Sequence, residues 1–220
     1  SACPKCGHQI TALENIPVLS WLVLRGKCSE CANPISPRYP SVELLTGLMS
    51  VAVALVVPFG WPLMLALTLT WFLVAMTFID FDTMLLPDQL TLPLLWLGLL
   101  ANCFGTFTDL QSAVLGAAAG YLSLWSIYWA FKLLTGKEGM GYGDFKLFAA
   151  LGAWLGWQML PLIILLSALT GAITGVTLIA LGRHGRQALI PFGPYLAAAG
   201  FVALIWGPSL MGAYLRTTLP

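Results

Sequence analysis

Two aspartates offer the most specific chemistry in this sequence. Asp80 stands in Phe78-Ile79-Asp80-Phe81-Asp82-Thr83-Met84-Leu85-Leu86-Pro87-Asp88, and Asp144 in Gly141-Tyr142-Gly143-Asp144-Phe145-Lys146. Each lies at the end of a long apolar run. A charged side chain in or beside a bilayer is costly, so a carboxylate there is a functional candidate by default. Two carboxylates at facing helix ends can divide the work of acid and base. One takes a proton from water while the other gives a proton to a carbonyl oxygen. That chemistry cuts a peptide bond without a metal or a covalent nucleophile, and such a pair would share a proton and titrate as a unit. Ordinary roles compete: Asp88 and Asp144 could cap the helices they precede, and Asp82 could face headgroups. Asp80 resists that explanation, because a negative charge at the C-terminal end of a helix opposes the dipole. The glycines beside Tyr142 allow another chain to approach closely.

A second cluster lies at the start of the chain. Cys3, Cys6, Cys28 and Cys31 form two CxxC pairs with 21 residues between them. Two such knuckles can give four thiolates to one tetrahedral Zn²⁺, with no position left for water, so the ion would be structural. Two disulfides are the alternative, and a reducing compartment disfavours them. Forty residues are too few for a self-sufficient core, so the metal would supply folding free energy. His8 reads as a neighbour of this site rather than a ligand. Cys103, alone in an apolar run, reads as a small buried hydrophobe, and His184 as a solvated loop residue.

The elements that must position these groups are membrane helices. The 220 residues are 59% hydrophobic and 9% charged, against about 25% charged in ordinary soluble domains. A soluble fold could not hide so much apolar surface. The net charge of +1 argues against a nucleic-acid binder. Residues 1–40 are polar and read as a small zinc-ribbon-like knob; residues 41–220 read as an all-α, polytopic membrane helix bundle. At about 20 apolar residues per crossing, seven spans are expected, near 41–60, 62–80, 89–106, 110–133, 144–159, 160–181 and 191–214. Trp61, Trp71, Trp154, Trp157 and Tyr195 fall near helix ends and are expected to be interfacial anchors. Gly116-Ala-Ala-Ala-Gly120 and Gly171-Ala-Ile-Thr-Gly175 mark faces where helices can pack closely.

Basic residues accumulate on the cytoplasmic side. With residue 1 cytoplasmic, seven crossings place Lys5, Arg25, Lys27, Arg38, Lys132, Lys137, Lys146, Arg183 and Arg186 inside and only Arg216 outside. The same threading puts Asp80, Asp88 and Asp144 at the cytoplasmic membrane edge. The chain opens at Ser1 with no initiator Met, which reads as a fragment lacking some N-terminal residues.

Taken together, these motifs resemble the type IV prepilin peptidase / N-methyltransferase family. Gly141-Tyr142-Gly143-Asp144 is similar to the GxGD signature of membrane aspartyl proteases. The likeness extends through Glu14-Asn15-Ile16-Pro17, Leu24-Arg25-Gly26-Lys27-Cys28, Arg38-Tyr39-Pro40 with Glu43, and Pro191-Phe192-Gly193-Pro194. The resemblance selects Asp80 over Asp82 as the partner of Asp144, a choice that spacing alone leaves open. It implies a bacterial inner-membrane enzyme that cleaves the leader of type IV prepilins or type II secretion pseudopilins, then methylates the new N-terminal amine with S-adenosylmethionine. It also implies one more N-terminal span than this chain carries. Glu14, Gly26 and Lys27 are the candidate methyl-donor residues: a carboxylate for the sulfonium or ammonium, close backbone approach, and a cation for the donor's carboxylate. The rival classes are a proton- or ion-coupled transporter, whose acids tend to lie near the midplane between repeats, and a zinc-binding scaffold. The edge position of the acids and the lack of a visible repeat oppose the first; the acids themselves oppose the second.

Overall fold

The computed structural model describes residues 1–181 and 191–218, with side chains of the second stretch as far as Ala213. Arg183, His184, Arg186 and the Arg216 side chain lie outside the described residues. The chain forms two compact units, Ser1–Leu55 and Val56 onward.

The first unit opens with two knuckles of matching hydrogen-bond pattern. Cys3 N–H donates to His8 O and Gly7 N–H to Cys3 O; Cys28 N–H donates to Asn33 O and Ala32 N–H to Cys28 O. The fourth residue after each leading cysteine is left-handed, with φ of 73° at Gly7 and 53° at Ala32. Isolated antiparallel bridges, Ala2 with Gln9 and Lys27 with Pro34, close the two turns. A run of turns then leads into α1 (Leu19–Val23), and α2 (Arg38–Val56) follows. Only Pro40 and Val53 of α2 are buried, and most of its apolar side chains are exposed, as in a lipid-facing helix.

The second unit is helical throughout its described residues: α3 (Trp61–Thr83), α4 (Asp88–Asn102), α5 (Leu110–Thr135), α6 (Tyr142–Leu155), a 3₁₀ turn at Trp157–Met159, α7 (Leu160–Ala180) and α8 (Gly193–Thr218). Among the described residues, five helices are long and apolar enough to cross a membrane: α2, α3, α5, α7 with its preceding turn, and α8. The other two, α4 and α6, have 15 and 14 residues. At a rise of 1.5 Å per residue each is roughly 22 Å long, short of the ~30 Å hydrocarbon layer. Helix α6 tolerates this because protein, not lipid, surrounds it: of Asp144 to Trp154, only Lys146 is not buried.

Close backbone approach holds α6 in place. A methyl group on Gly116 of α5 would overlap the Gly152 carbonyl of α6, and one on Gly152 would overlap the Gly116 carbonyl. One turn along, a methyl on Gly120 would lie 2.7 Å from the Phe148 oxygen. Gly98 of α4 similarly leaves room for the Trp154 ring, whose indole N–H donates to Leu94 O at 2.8 Å. Trp154 is fully buried, so it is a core residue of the bundle and not the interfacial anchor that its position near a helix end implied.

Helix α4 also stops before the expected residue 106. Asn102 is buried and its amide works in both directions. Nδ2 donates to the Ala153 and Trp154 carbonyls, and Oδ1 accepts from Phe107 and Thr108 N–H. This one side chain ends α4, shapes the next loop and ties it to the end of α6. Cys103 follows as the C-cap and is exposed, which corrects its reading as a buried hydrophobe.

Candidate active site

Asp80 sits in the last turn of α3, where Met84 N–H donates to its carbonyl and Met84 adopts a left-handed C-cap, φ 55°. Its side chain is buried, and Oδ2 accepts the backbone N–H of Gly193 at 3.1 Å. Gly193 is the first residue of α8, so that helix presents its first backbone N–H to the carboxylate. A larger residue requires the carboxylate or the start of α8 to shift: an added methyl would lie 2.5 Å from Asp80 Oδ2.

Asp144 is held in a parallel way. Gly141 is the N-cap of α6 and Asp144 the third residue inside it; Asp144 Oδ2 accepts the Gly141 N–H at 3.2 Å. The acid therefore does serve the helix N-terminus, as the half of a capping box that a side chain can supply. It is also buried. Each carboxylate thus has a glycine N–H on Oδ2. Leu86 packs between the two sites, since methyls on Gly143 and Gly193 would both run into it.

The other acids separate from this pair. Asp82 is exposed. Asp88 is not the N-cap of α4, a place taken by Pro87 with φ −71° and ψ 138°; Asp88 instead pairs with Lys146 of α6 at 2.5 Å. That ion pair clasps the N-terminal ends of α4 and α6.

Aromatic packing fixes the Gly141–Asp144 turn. Tyr128 of α5 is buried, with ring centroids 5.3 Å from Tyr142 and 5.6 Å from Phe145. Lys132 bonds the Tyr128 hydroxyl at 3.2 Å and the Glu138 carboxylate at 2.9 Å, tying the incoming loop to α5. Sequence reasoning missed Tyr128 and the roles of Leu86 and Gly193. Pro191-Phe192-Gly193-Pro194 was a signal without an assigned role; Tyr128 had none, being one aromatic among many in an apolar helix.

The first unit gathers all four cysteines, with every pair of sulfurs within 4.8 Å. Cys3–Cys31 and Cys6–Cys28 sulfurs lie 3.8 and 3.9 Å apart. A tetrahedral ion with Zn–S bonds of about 2.3 Å needs sulfurs roughly 3.8 Å apart, so the cluster fits such an ion. The Cys6 and Lys5 backbone N–H groups favour the Cys3 thiolate and lower its pKa to about 6. His8 stands outside the cluster, with Nε2 3.2 Å from Glu14 and Nδ1 3.8 Å from Glu30.

Beside the cysteines is a cavity of about 510 Å³, with Glu14, Trp21, Tyr39 and Glu43 in its lining. Glu14 accepts from Thr11 N–H at 2.8 Å and from the Thr11 hydroxyl at 2.9 Å. Hydrogen bonds from Ser29, Thr11 and His8 hold its pKa near 2. Gly26 and Lys27 are not in the cavity lining. Gly26, with φ 68°, lies against the Trp21 ring, where a methyl would approach to 2.9 Å; Lys27 is exposed.

Comparison with known proteins now bears on this arrangement. The profile of the type IV leader peptidase family matches residues 67–176, and that of the bacterial peptidase A24 N-terminal domain matches residues 1–57. A prepilin leader peptidase/N-methyltransferase of Aeromonas hydrophila is 67% identical over 219 residues, covering all of this chain and 76% of that protein. The chain belongs to the type IV leader peptidase family. Relatives of the same description from Stutzerimonas stutzeri and Pseudomonas aeruginosa are each 59% identical over 216 residues, covering 98% of the chain and 75% and 74% of those proteins. No solved structure matches. Family membership decides against the transporter and scaffold alternatives, and the first profile includes both Asp80 and Asp144.

Proposed function

We propose that this chain cleaves the leader of prepilins or pseudopilins with Asp80 and Asp144 as its acid–base dyad, and then methylates the new N-terminus. The observation that carries the reading is two buried carboxylates, each held through one oxygen by a glycine N–H at a helix start, with Leu86 packed against the glycines of both sites. Buried like charges cannot both ionise cheaply, so the pair retains one proton. The ionised member takes a proton from water, which attacks the scissile carbonyl carbon; the protonated member donates to the carbonyl oxygen. Collapse of the tetrahedral intermediate breaks the C–N bond, and the amine leaves with a proton from the dyad.

Residues 1–40 act as a cytoplasmic zinc knob and residues 41–220 as a seven-crossing protease domain in the inner membrane. The basic-residue bias supports this orientation, and the interior position of α6 supports its crossing despite its length. Cys3, Cys6, Cys28 and Cys31 hold structural zinc, which supplies folding free energy and no open coordination position. S-adenosylmethionine is the methyl donor, and Glu14, Gly26 and Lys27 serve its site. The knob cavity is within the usual ligand range of about 300–1,000 Å³. Glu14 stands in its wall, Gly26 sets the Trp21 ring that forms another part of it, and Lys27 is close by in sequence. The test is to incubate the purified protein with prepilins and S-adenosylmethionine and determine the product N-termini by mass spectrometry. Cleaved, monomethylated product is expected, and separate changes at Glu14, Gly26 and Lys27 should lower methylation while sparing cleavage. Intact prepilin would contradict the first assignment, and equal loss of both activities the second.

A further inference from the structure

The first unit carries an apolar row that neither the metal centre nor the cavity uses. Leu13, Ile16, Leu19, Leu22 and Val23 are between 40% and 80% exposed. They lie on one helical and turn-forming run, with spacings of three residues from Leu13 to Leu22. The other side of that run is committed inward. Glu14, Ser20, Trp21 and Leu24 line the cavity, and the Trp21 indole donates to Ile35 O at 3.0 Å. Five exposed apolar side chains within eleven residues of a small polar body mark an interaction surface.

The height of that surface is set by α2. Val18 N–H, at the start of α1, donates to the Glu43 carboxylate at 2.8 Å, and Tyr39 and Pro40 of α2 share the cavity wall with Ser20 and Trp21. Helix α1 is thus fastened beside the first two turns of a candidate membrane span. A membrane entering at those turns has its headgroup region at the level of α1. Exposed Arg25 and Lys27 follow directly, as cations beside an anionic lipid surface do.

We propose that Leu13, Ile16, Leu19, Leu22 and Val23 seat the knob in the boundary between headgroups and acyl chains, with lipid as the occupant of this face. The proposal rests on the reading of α2 as a crossing. The knob is then held against the bilayer surface by this face.

The test places an environment-sensitive fluorescent amino acid at Val23, at Leu48 or at Glu30 in the full chain, reconstituted in vesicles containing anionic lipid. Val23 is 80% exposed, so the probe displaces nothing. At Val23, quenching by lipids brominated near the carbonyl end and shielding from aqueous iodide are expected. Leu48 should be quenched by brominated lipid, and Glu30 by iodide. Iodide quenching at Val23 equal to that at Glu30 would overturn the proposal. So would shielding from both quenchers, which would mean that protein covers the face. Loss of lipid quenching at Leu48 would overturn the α2 crossing and this inference with it, whereas an aqueous Val23 beside a lipid-quenched Leu48 overturns the inference alone.

Discussion

Gly193 contributes a backbone N–H and the absence of a side chain, and Asp80 needs both. Alanine at 193 would put its methyl 2.5 Å from Oδ2, so the carboxylate or the start of α8 must move. A displacement of about 1 Å at reacting groups can cost on the order of 100-fold in rate. Gly193→Ala is expected to lower kcat by about that factor with KM little changed, measured on a prepilin substrate. A change in KM alone would mean that Gly193 shapes binding rather than the dyad. Asp88→Asn should be far milder. Asp88 is exposed and its partner Lys146 is partly so, and such pairs contribute about 1 kcal/mol or less. Glu14 gives a pH signature. Its folded pKa lies near 2, below the ordinary 4.5, because Ser29, Thr11 and His8 hydrogen bonds favour the anion. A depressed carboxylate stabilises the fold above its unfolded pKa and loses that contribution as pH falls from about 4.5 towards 2. Hydrogen exchange in the knob should therefore show Glu14→Gln less protected than the parent at pH 6, with the gap closing on acidification.

At the scale of elements, the α5–α6 contact makes a prediction with an unusual sign. Helix propensity alone makes Gly116→Ala stabilising by about 1 kcal/mol. The Gly152 carbonyl occupies the place of the added methyl, and overpacking of this kind typically costs about 1–3 kcal/mol. Thermal unfolding in detergent should show a lower Tm; a higher Tm would mean that the two backbones separate freely. The knuckles carry the opposite case. Ala32 occupies the left-handed position that Gly7 fills in the first knuckle, and that conformation costs a non-glycine residue about 1–2 kcal/mol. Ala32→Gly should therefore raise resistance of the knob to metal chelation. These elements also show what the sequence made legible. Apolar run lengths located every described helix of the second unit, because membrane helices must satisfy their own backbones. The end of α4 was not legible, since Asn102 stops it through carbonyls more than fifty residues away. Trp154 looked like an anchor because near-terminal Trp usually is one; only the space left by Gly98 shows that it is buried.

At the scale of the whole molecule, burial separates Asp80 from Asp82, which local sequence could not do without the family pattern. The CxxC spacing led directly to the cysteine cluster, because four sulfurs on two short turns have few ways to converge. Gly193 and Tyr128 were not readable as candidate-site residues, since their places depend on how α8 and α5 pack around Asp80 and Asp144. Chelation is expected to release about one zinc per chain and loosen residues 1–40, as four thiolates fill one tetrahedral site. The central claim, that one acid–base pair does the cutting, meets its most direct test in prepilin cleavage by Asp80→Asn, Asp144→Asn and Asp82→Asn proteins reconstituted in vesicles. An amide cannot exchange the shared proton, and such groups contribute about 10²–10⁴-fold each. Asp80→Asn and Asp144→Asn should each lose cleavage by at least that range while remaining folded, and Asp82→Asn should stay near the parent rate. Near-parent cleavage by either of the first two, or inactivation by Asp82→Asn alone, would contradict the dyad.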